Sequence, residues 1–296
     1  MSRTASTPES EAALLRRIAA KDRRAFEALY HAYYRRLFAY LFKTIRRPEL
    51  SFSFIAFQLK HRPFGDVRVR RALAHAVDRK RIAGIDPFGR MLAVGILPPG
   101  MFAYSPEDKA IPYDPERARQ LLAEAGYPGG KGLPTVHYHQ AHRGEAGRAA
   151  DAIVRENLEA VGVRVEFNYS EWETFSIALD EKRLPTLGLT WVADVPDPDS
   201  FLASLFLTNG TYNMFSYSSA VVDSLLVAGS RMRSSRERAE LYRRAERLIL
   251  DDAPMIPLYN IENAFVVRRE VRDLHVTPFG IGNLSMERVW LDSPAS

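Results

Sequence analysis

From residue 51 onward, short runs of two-residue period alternate with longer runs of period 3.6, and this alternation restricts the fold more than any other feature. Residues 52–59 read as a strand. Asp66 stands where it can cap a helix over residues 67–77, with Val69, Leu73, Ala76 and Val77 on the inner face. Asp114-Pro115-Glu116 opens another helix, because the missing N–H of proline is harmless at the first helical position. Gly126 stops it after Leu121, Leu122 and Ala125. Residues 135–139, 163–169 and 186–191 read as strands, separated by helices over residues 147–160 and 172–180. Helices near residues 200–207, 219–230 and 236–250 follow, and residues 255–259 and 264–267 are two closing strands. The pattern predicts an α/β layer architecture with a mixed sheet.

Charge divides the chain near residue 50. Residues 1–50 carry 11 Lys/Arg against 5 Asp/Glu, a net of +6, and the other 246 carry 30 against 31, a net of −1. The neutral part has no electrostatic reason to bind nucleic acid, so nucleic acid is an unexpected partner for it. With 46% hydrophobic residues the chain can build a sizeable core, and no apolar run reaches the ~20 residues of a membrane span. A soluble chain without a transmembrane segment is expected. Zero cysteines exclude disulfides, Cys-ligated metal and a thiol nucleophile. The first 24 residues show no apolar core of signal-peptide length, so as written the chain is expected to carry no export signal.

Within residues 1–50, Phe26, Leu29, Tyr30, Tyr33, Leu37, Tyr40, Leu41 and Ile45 recur at spacings of three and four, an aromatic helical stripe that Pro48 closes. The string DRRAFEALYHAYYRRLFAYLFK (22–43) resembles the start of region 2 in extracytoplasmic-function sigma factors. The helices that would read a promoter do not follow it. An amphipathic helical hairpin with a solvated basic face accounts for the same residues.

The neutral part resembles a different family. RPFGDVRVRRALAHAVDRKRI (62–82) looks like the signature stretch of family 5 extracellular solute-binding proteins, which serve ABC transporters of peptides and nickel. LPPG (97–100), YDPERARQLLAEAGYP (113–128), AIVRENLEAVGVRVEF (152–167) and WVADVPDPDSFLASLF (191–206) continue the likeness in order. SYSSAVVDSLL (216–226), RAELYRRAERLILDDAPMIPLY (238–259) and VRDLHVTP (271–278) complete it. The resemblance spans residues 53–290 and matches only the C-terminal half of the family. It implies, over 51–296, one lobe of a type II periplasmic-binding-protein-like fold, preceded by the basic helical segment that charge and periodicity give over 1–50. The implied partners are a short peptide or similar small solute and an ABC permease, in a periplasmic or cell-surface setting. A receptor with its N-terminal lobe missing could not close two lobes around a ligand.

In peptide-binding members a Trp and an Asp stand where Trp191 and Asp194 stand here, and the carboxylate pairs with the ligand's α-ammonium group. A carboxylate desolvated by peptide would make a charge-assisted bond there, and Trp191 would supply a flat apolar wall. The resemblance also places Tyr212, Asn213 and Tyr217 in a stretch that lines the cleft of relatives, an assignment that competes with an exposed loop. Val195 departs from a position that is often aromatic. Asp197 and Asp199 read as shaping the turn and capping the next helix.

His137 and His139 share one face of a strand, and His142 could return to it, but no carboxylate is fixed nearby by spacing. A polar surface loop is the preferred reading of them, and no metal is expected. The arginines of residues 231–248 are interspersed with Glu237, Glu240 and Glu246, which marks a solvated helix face. No cofactor loop, catalytic triad or metalloprotease motif appears, so no enzyme activity and no cofactor are expected. Two further possibilities stay open: a ligand-sensing transcription regulator with a sigma-like head, and a fusion of two truncated frames near Pro48.

Overall fold

The computed structural model describes residues 17, 22, 42–86, 89–107, 110–141, 144–275, 277–279 and 287–292. The strands are β1 (Phe42–Pro48), β2 (Ser51–Phe57), β3 (Arg90–Leu92), β4 (Val136–Ala141), β5 (Val165–Ser170), β6 (Thr186–Val192) and β7 (Met255–Arg268). The helices are α1 (Val67–Ala76), α2 (Arg79–Ala83), α3 (Pro115–Glu124), α4 (Glu145–Ala160), α5 (Trp172–Asp180), α6 (Leu202–Phe206), α7 (Ala220–Arg231) and α8 (Ser235–Asp252). Two short strands, β8 (Val271–Arg272) and β9 (Trp290–Leu291), form a separate antiparallel pair in which Arg272 meets Asp292 at 2.8 Å. That pair lies in one compact unit of the chain, and residues 47–263 with 277–283 make up the other.

The main sheet runs β1-β7-β2-β6-β4-β5, with β3 also on β7. β4 pairs with β5 and β6 in parallel, whereas β2 pairs with β6 and β7 antiparallel, so the sheet is mixed as expected. At its centre β2 is buried over every residue. Side chains alternate across a strand, so Phe52, Phe54 and Ala56 enter one apolar core and Ile55 and Phe57 the other. Each large side chain buried there contributes roughly 1.5–3 kcal/mol relative to exposure. One core is roofed by α6, α7 and α8, and α1, α3 and α4 enclose the second. The Ser53 and Thr190 hydroxyls satisfy each other at 2.6 Å inside the sheet.

The capping chemistry accounts for the helix starts. Asp66 accepts from the Arg68 N–H, Asp114 from Arg117 and Ser219 from Val222, each filling a donor the first turn leaves unpaired. Two expectations are corrected. Ile45, placed at the end of a helical stripe, lies in strand β1. The segment around Thr44-Ile45 is β-branched as well as periodic, and pairing beside β7 decides between the two periods. The remaining stripe, from Phe26 to Leu41, falls outside the described residues. The two closing strands are one, because β7 continues through Asn260-Ile261-Glu262-Asn263. Asn260 is buried there and donates to the Ser51 carbonyl at 2.8 Å, while β3 pairs alongside it.

Candidate functional site

β6 ends at the head of a loop, and its last residues set up the site. Ala193 makes a final backbone bond to the Leu50 carbonyl at 2.8 Å, which puts Asp194 next in line past the ladder. The Trp191 indole N–H donates to the Ser200 carbonyl at 2.7 Å, and the Ser200 hydroxyl donates to the Val195 carbonyl at 3.1 Å. The loop is thereby tied across its neck. Asp197 accepts from the Asp199 N–H at 3.0 Å and pairs with Arg238 at 2.8 Å. The Tyr242 hydroxyl donates to Asp199 at 2.7 Å, and Arg238 also donates to that hydroxyl at 3.0 Å. Burial raises the Asp199 carboxyl, against the pull of the Tyr242 bond, and burial with the Asp199 bond raises the Tyr242 phenol. Asp197 and Asp199 are therefore turn and anchor residues. Arg238, in the arginine-rich run, works inside the fold, while Arg236 and Glu240 form the expected exposed i,i+4 pair at 3.5 Å.

Asp194 differs from both. It is exposed, and its carboxylate has no hydrogen-bond or ion-pair partner among the described residues. It sits on a groove of about 680 Å³ whose walls are α5 (Trp172, Ser176, Leu179, Asp180), the end of β6 (Leu189 to Val192) and the loop from Thr211 to Met214. Lys182 borders it too. Trp191 is half-buried, and its ring meets that of Tyr212 at 5.1 Å, with Tyr212 half exposed. The open end of the groove thus offers an unpaired anion beside aromatic faces.

The other expected residues divide. Asn213 borders the groove but is buried, and its carboxamide is spent on the loop itself. It donates to the Leu207 carbonyl at 2.9 Å and the Tyr217 carbonyl at 2.7 Å, and accepts from the Tyr217 N–H at 3.0 Å. Tyr217 does not line the groove. Ser216 turns the chain through the left-handed region at φ 53°, which sends Tyr217 into the core, edge-on to Phe206. Its hydroxyl donates to Asp252 at 2.7 Å, and burial raises its pKa. Proximity in sequence to the cleft-lining stretch is what made Tyr217 a candidate, and the reversal at Ser216 is what removes it from the groove. Trp172 and Lys182 were missed. An exposed Trp at the first position of α5, three residues before the buried Phe175, was the available signal for one of them.

His137 and His139 do share a face, as strand geometry requires, and His137 approaches Glu166 on β5 at 3.4 Å. Burial lowers the His139 pKa. His142 is outside the described residues, and among those described no three His, Asp or Glu side chains are grouped to hold a metal.

Comparison with known proteins agrees with the fold. A profile described as bacterial extracellular solute-binding proteins, family 5, middle region, matches residues 8–213. Heme-binding protein A of Haemophilus influenzae is 33% identical over 245 residues, which are 80% of this chain and 44% of that protein. The dipeptide-binding protein of Escherichia coli is 27% identical over 249 residues, 81% of this chain and 46% of its own. Among solved structures, HbpA2 of Haemophilus parasuis superposes with a TM-score of 0.76 at 25% identity, covering 85% of this chain and 50% of the other. The dipeptide-binding protein of Pseudoalteromonas sp. SM9913, solved with Met-Leu, gives 0.71 at 26% identity over 84% and 50%. The chain spans about half the length of the curated relatives it matches. With a mixed sheet, an ordered motif series and a profile match that all point one way, the chain belongs to the family 5 bacterial extracellular solute-binding proteins.

Proposed function

We propose that this chain binds a short peptide through its free amino terminus and holds it without catalysis, as the ligand-bearing lobe of a receptor that serves an ABC permease. The observation that carries the reading is the exposed Asp194 carboxylate, unpaired among the described residues, at the lip of the Trp191–Tyr212 groove. An α-ammonium group brought there gains a charge-assisted bond, and the aromatic rings shield that bond from water while contacting the cation. The exposed ends of open α/β sheets are where such ligands are received. In this reading the boundary between basic segment and lobe, drawn at residue 50 from the +6/−1 charge split, moves ahead of β1, because β1 is a strand of the main sheet and Leu50 is buried in its core. The relatives named for dipeptides, and the one solved with Met-Leu, support the ligand class.

Trp172 and Trp191 report on the groove directly, so tryptophan emission is the readout. Met-Leu is expected to change it saturably in the native chain, and in Asp194→Asn only at concentrations roughly tenfold to a hundredfold higher. Hemin is the second arm, since one relative carries a heme-binding name. A saturable hemin response that survives Asp194→Asn, with none for Met-Leu, would overturn the ammonium reading.

A further inference from the structure

A second cavity, of about 500 Å³, lies between the start of α2, the segment after β3 and the approach to α3. It shares no lining residue with the Asp194 groove. Arg79, Lys80 and Tyr113 supply its polar lining, and Leu92 and Val94 part of its apolar wall. Asp78 also borders it, but its Oδ1 accepts the Arg81 N–H at 3.0 Å.

The guanidinium of Arg79 makes this cavity unusual. Its Nη1 donates to the carbonyls of Ala93 at 2.8 Å and Pro257 at 3.2 Å. Nε and Nη2 engage nothing among the described residues, and no carboxylate there pairs with Arg79. Arg70, the other guanidinium lowered by burial, is satisfied differently. Its Nε, Nη1 and Nη2 all donate to carbonyls, of Asp252, Phe64 and Gly65. Exposed neighbours such as Arg68 and Arg81 have carboxylate partners. Arg79 is half-buried, and a cation partly withdrawn from water without an ion-pair partner is costly, so desolvation lowers its pKa. Lys80 adds a second positive charge, without an ion pair among the described residues.

We propose that the Arg79 cavity is a binding site for a small organic carboxylate with an apolar body. The free edge of a guanidinium matches the two oxygens of a carboxylate in a planar fork, a geometry an ammonium or a lone hydroxyl cannot offer. The apolar walls exclude water from that pair and receive the rest of the ligand.

Calorimetry at low salt with benzoate, benzamide and inorganic phosphate tests this. Benzoate is expected to bind saturably, and benzamide and phosphate at least about tenfold more weakly, as expected for losing a charge-assisted pair or the apolar contact. Arg79→Met should abolish benzoate binding. Because Arg79 also ties two carbonyls, Val94→Trp provides a variant that keeps the guanidinium and fills the cavity; it too should lose benzoate while keeping a native circular dichroism spectrum. Asp194→Asn should bind benzoate unchanged, which separates this site from the groove. Equal binding of benzamide or phosphate, benzoate binding retained in a folded Val94→Trp, or no benzoate binding at all would overturn the proposal.

Discussion

The Trp191 indole N–H donates to the carbonyl of Ser200 across 2.7 Å, tying the end of β6 to the far side of the loop that carries Asp194. One side chain thus serves as a wall of the groove and as the tie that fixes its anion. Trp191→Phe keeps most of the apolar wall and removes the tie. It is expected to lower stability by about 1 kcal/mol in urea unfolding and to weaken peptide binding as the loop loosens. Trp191→Ala, which also removes the ring, should cost more on both counts.

Asp194 and Tyr217 make opposite predictions. Asp194→Asn touches an exposed, unpaired carboxylate, so its urea midpoint should move by no more than about 0.5 kcal/mol, while peptide affinity falls roughly tenfold to a hundredfold. Tyr217→Phe strips a buried hydroxyl from Asp252. That loss should destabilise the chain by roughly 1–3 kcal/mol and leave peptide affinity unchanged. A Tyr217→Phe protein that loses affinity at native stability would return Tyr217 to the binding site.

How much of this was legible in the sequence depends on the range of the interaction that decides it. Asp66 and Asp114 announced their helices because a cap and its donors lie within three residues of each other. α5 was read to the residue, from Trp172 to Asp180. The continuous β7 was not, because what keeps Asn260 in a strand is the carbonyl of Ser51 and the pairing of Met91, both remote in sequence. Likewise, Trp191 and Asp194 lie near the end of a strand whose direction is fixed by its register with β2. Tyr217 follows a left-handed residue, Ser216, that no spacing rule anticipates.

The turn after α3 and the end of α4 meet at two glycines. Gly130 lies at φ +78°, and a Cβ there would fall 1.8 Å from the Gly162 carbonyl oxygen. Gly130→Ala must therefore displace backbone as well as strain it, and a loss of roughly 1–3 kcal/mol in the urea midpoint is expected, with the groove unaffected.

Part of the acid dependence should trace to Asp199, alongside Glu49, whose carboxyl burial also raises. Burial, the largest effect, raises the Asp199 carboxyl above the ordinary range, so the folded chain holds that proton more tightly than the unfolded one. Its contribution to stability then falls as pH rises from the ordinary carboxylate pKa through the raised one. Urea midpoints compared across the acidic range between the native chain and Asp199→Asn should show that decline as their difference. Asp199→Asn should remove that part of the slope and shift overall stability through its bond to Tyr242.

The central claim is that Asp194 receives an α-ammonium group, and one comparison by titration calorimetry bears on it most directly. A dipeptide with a free amino terminus and its N-acetylated counterpart differ at the one group Asp194 is assigned to hold. The account predicts saturable binding of the free dipeptide, none of the acetylated form, and loss of the difference in Asp194→Asn. Equal binding of both forms, no binding of either, or a preference for the free amine that persists in Asp194→Asn would contradict it.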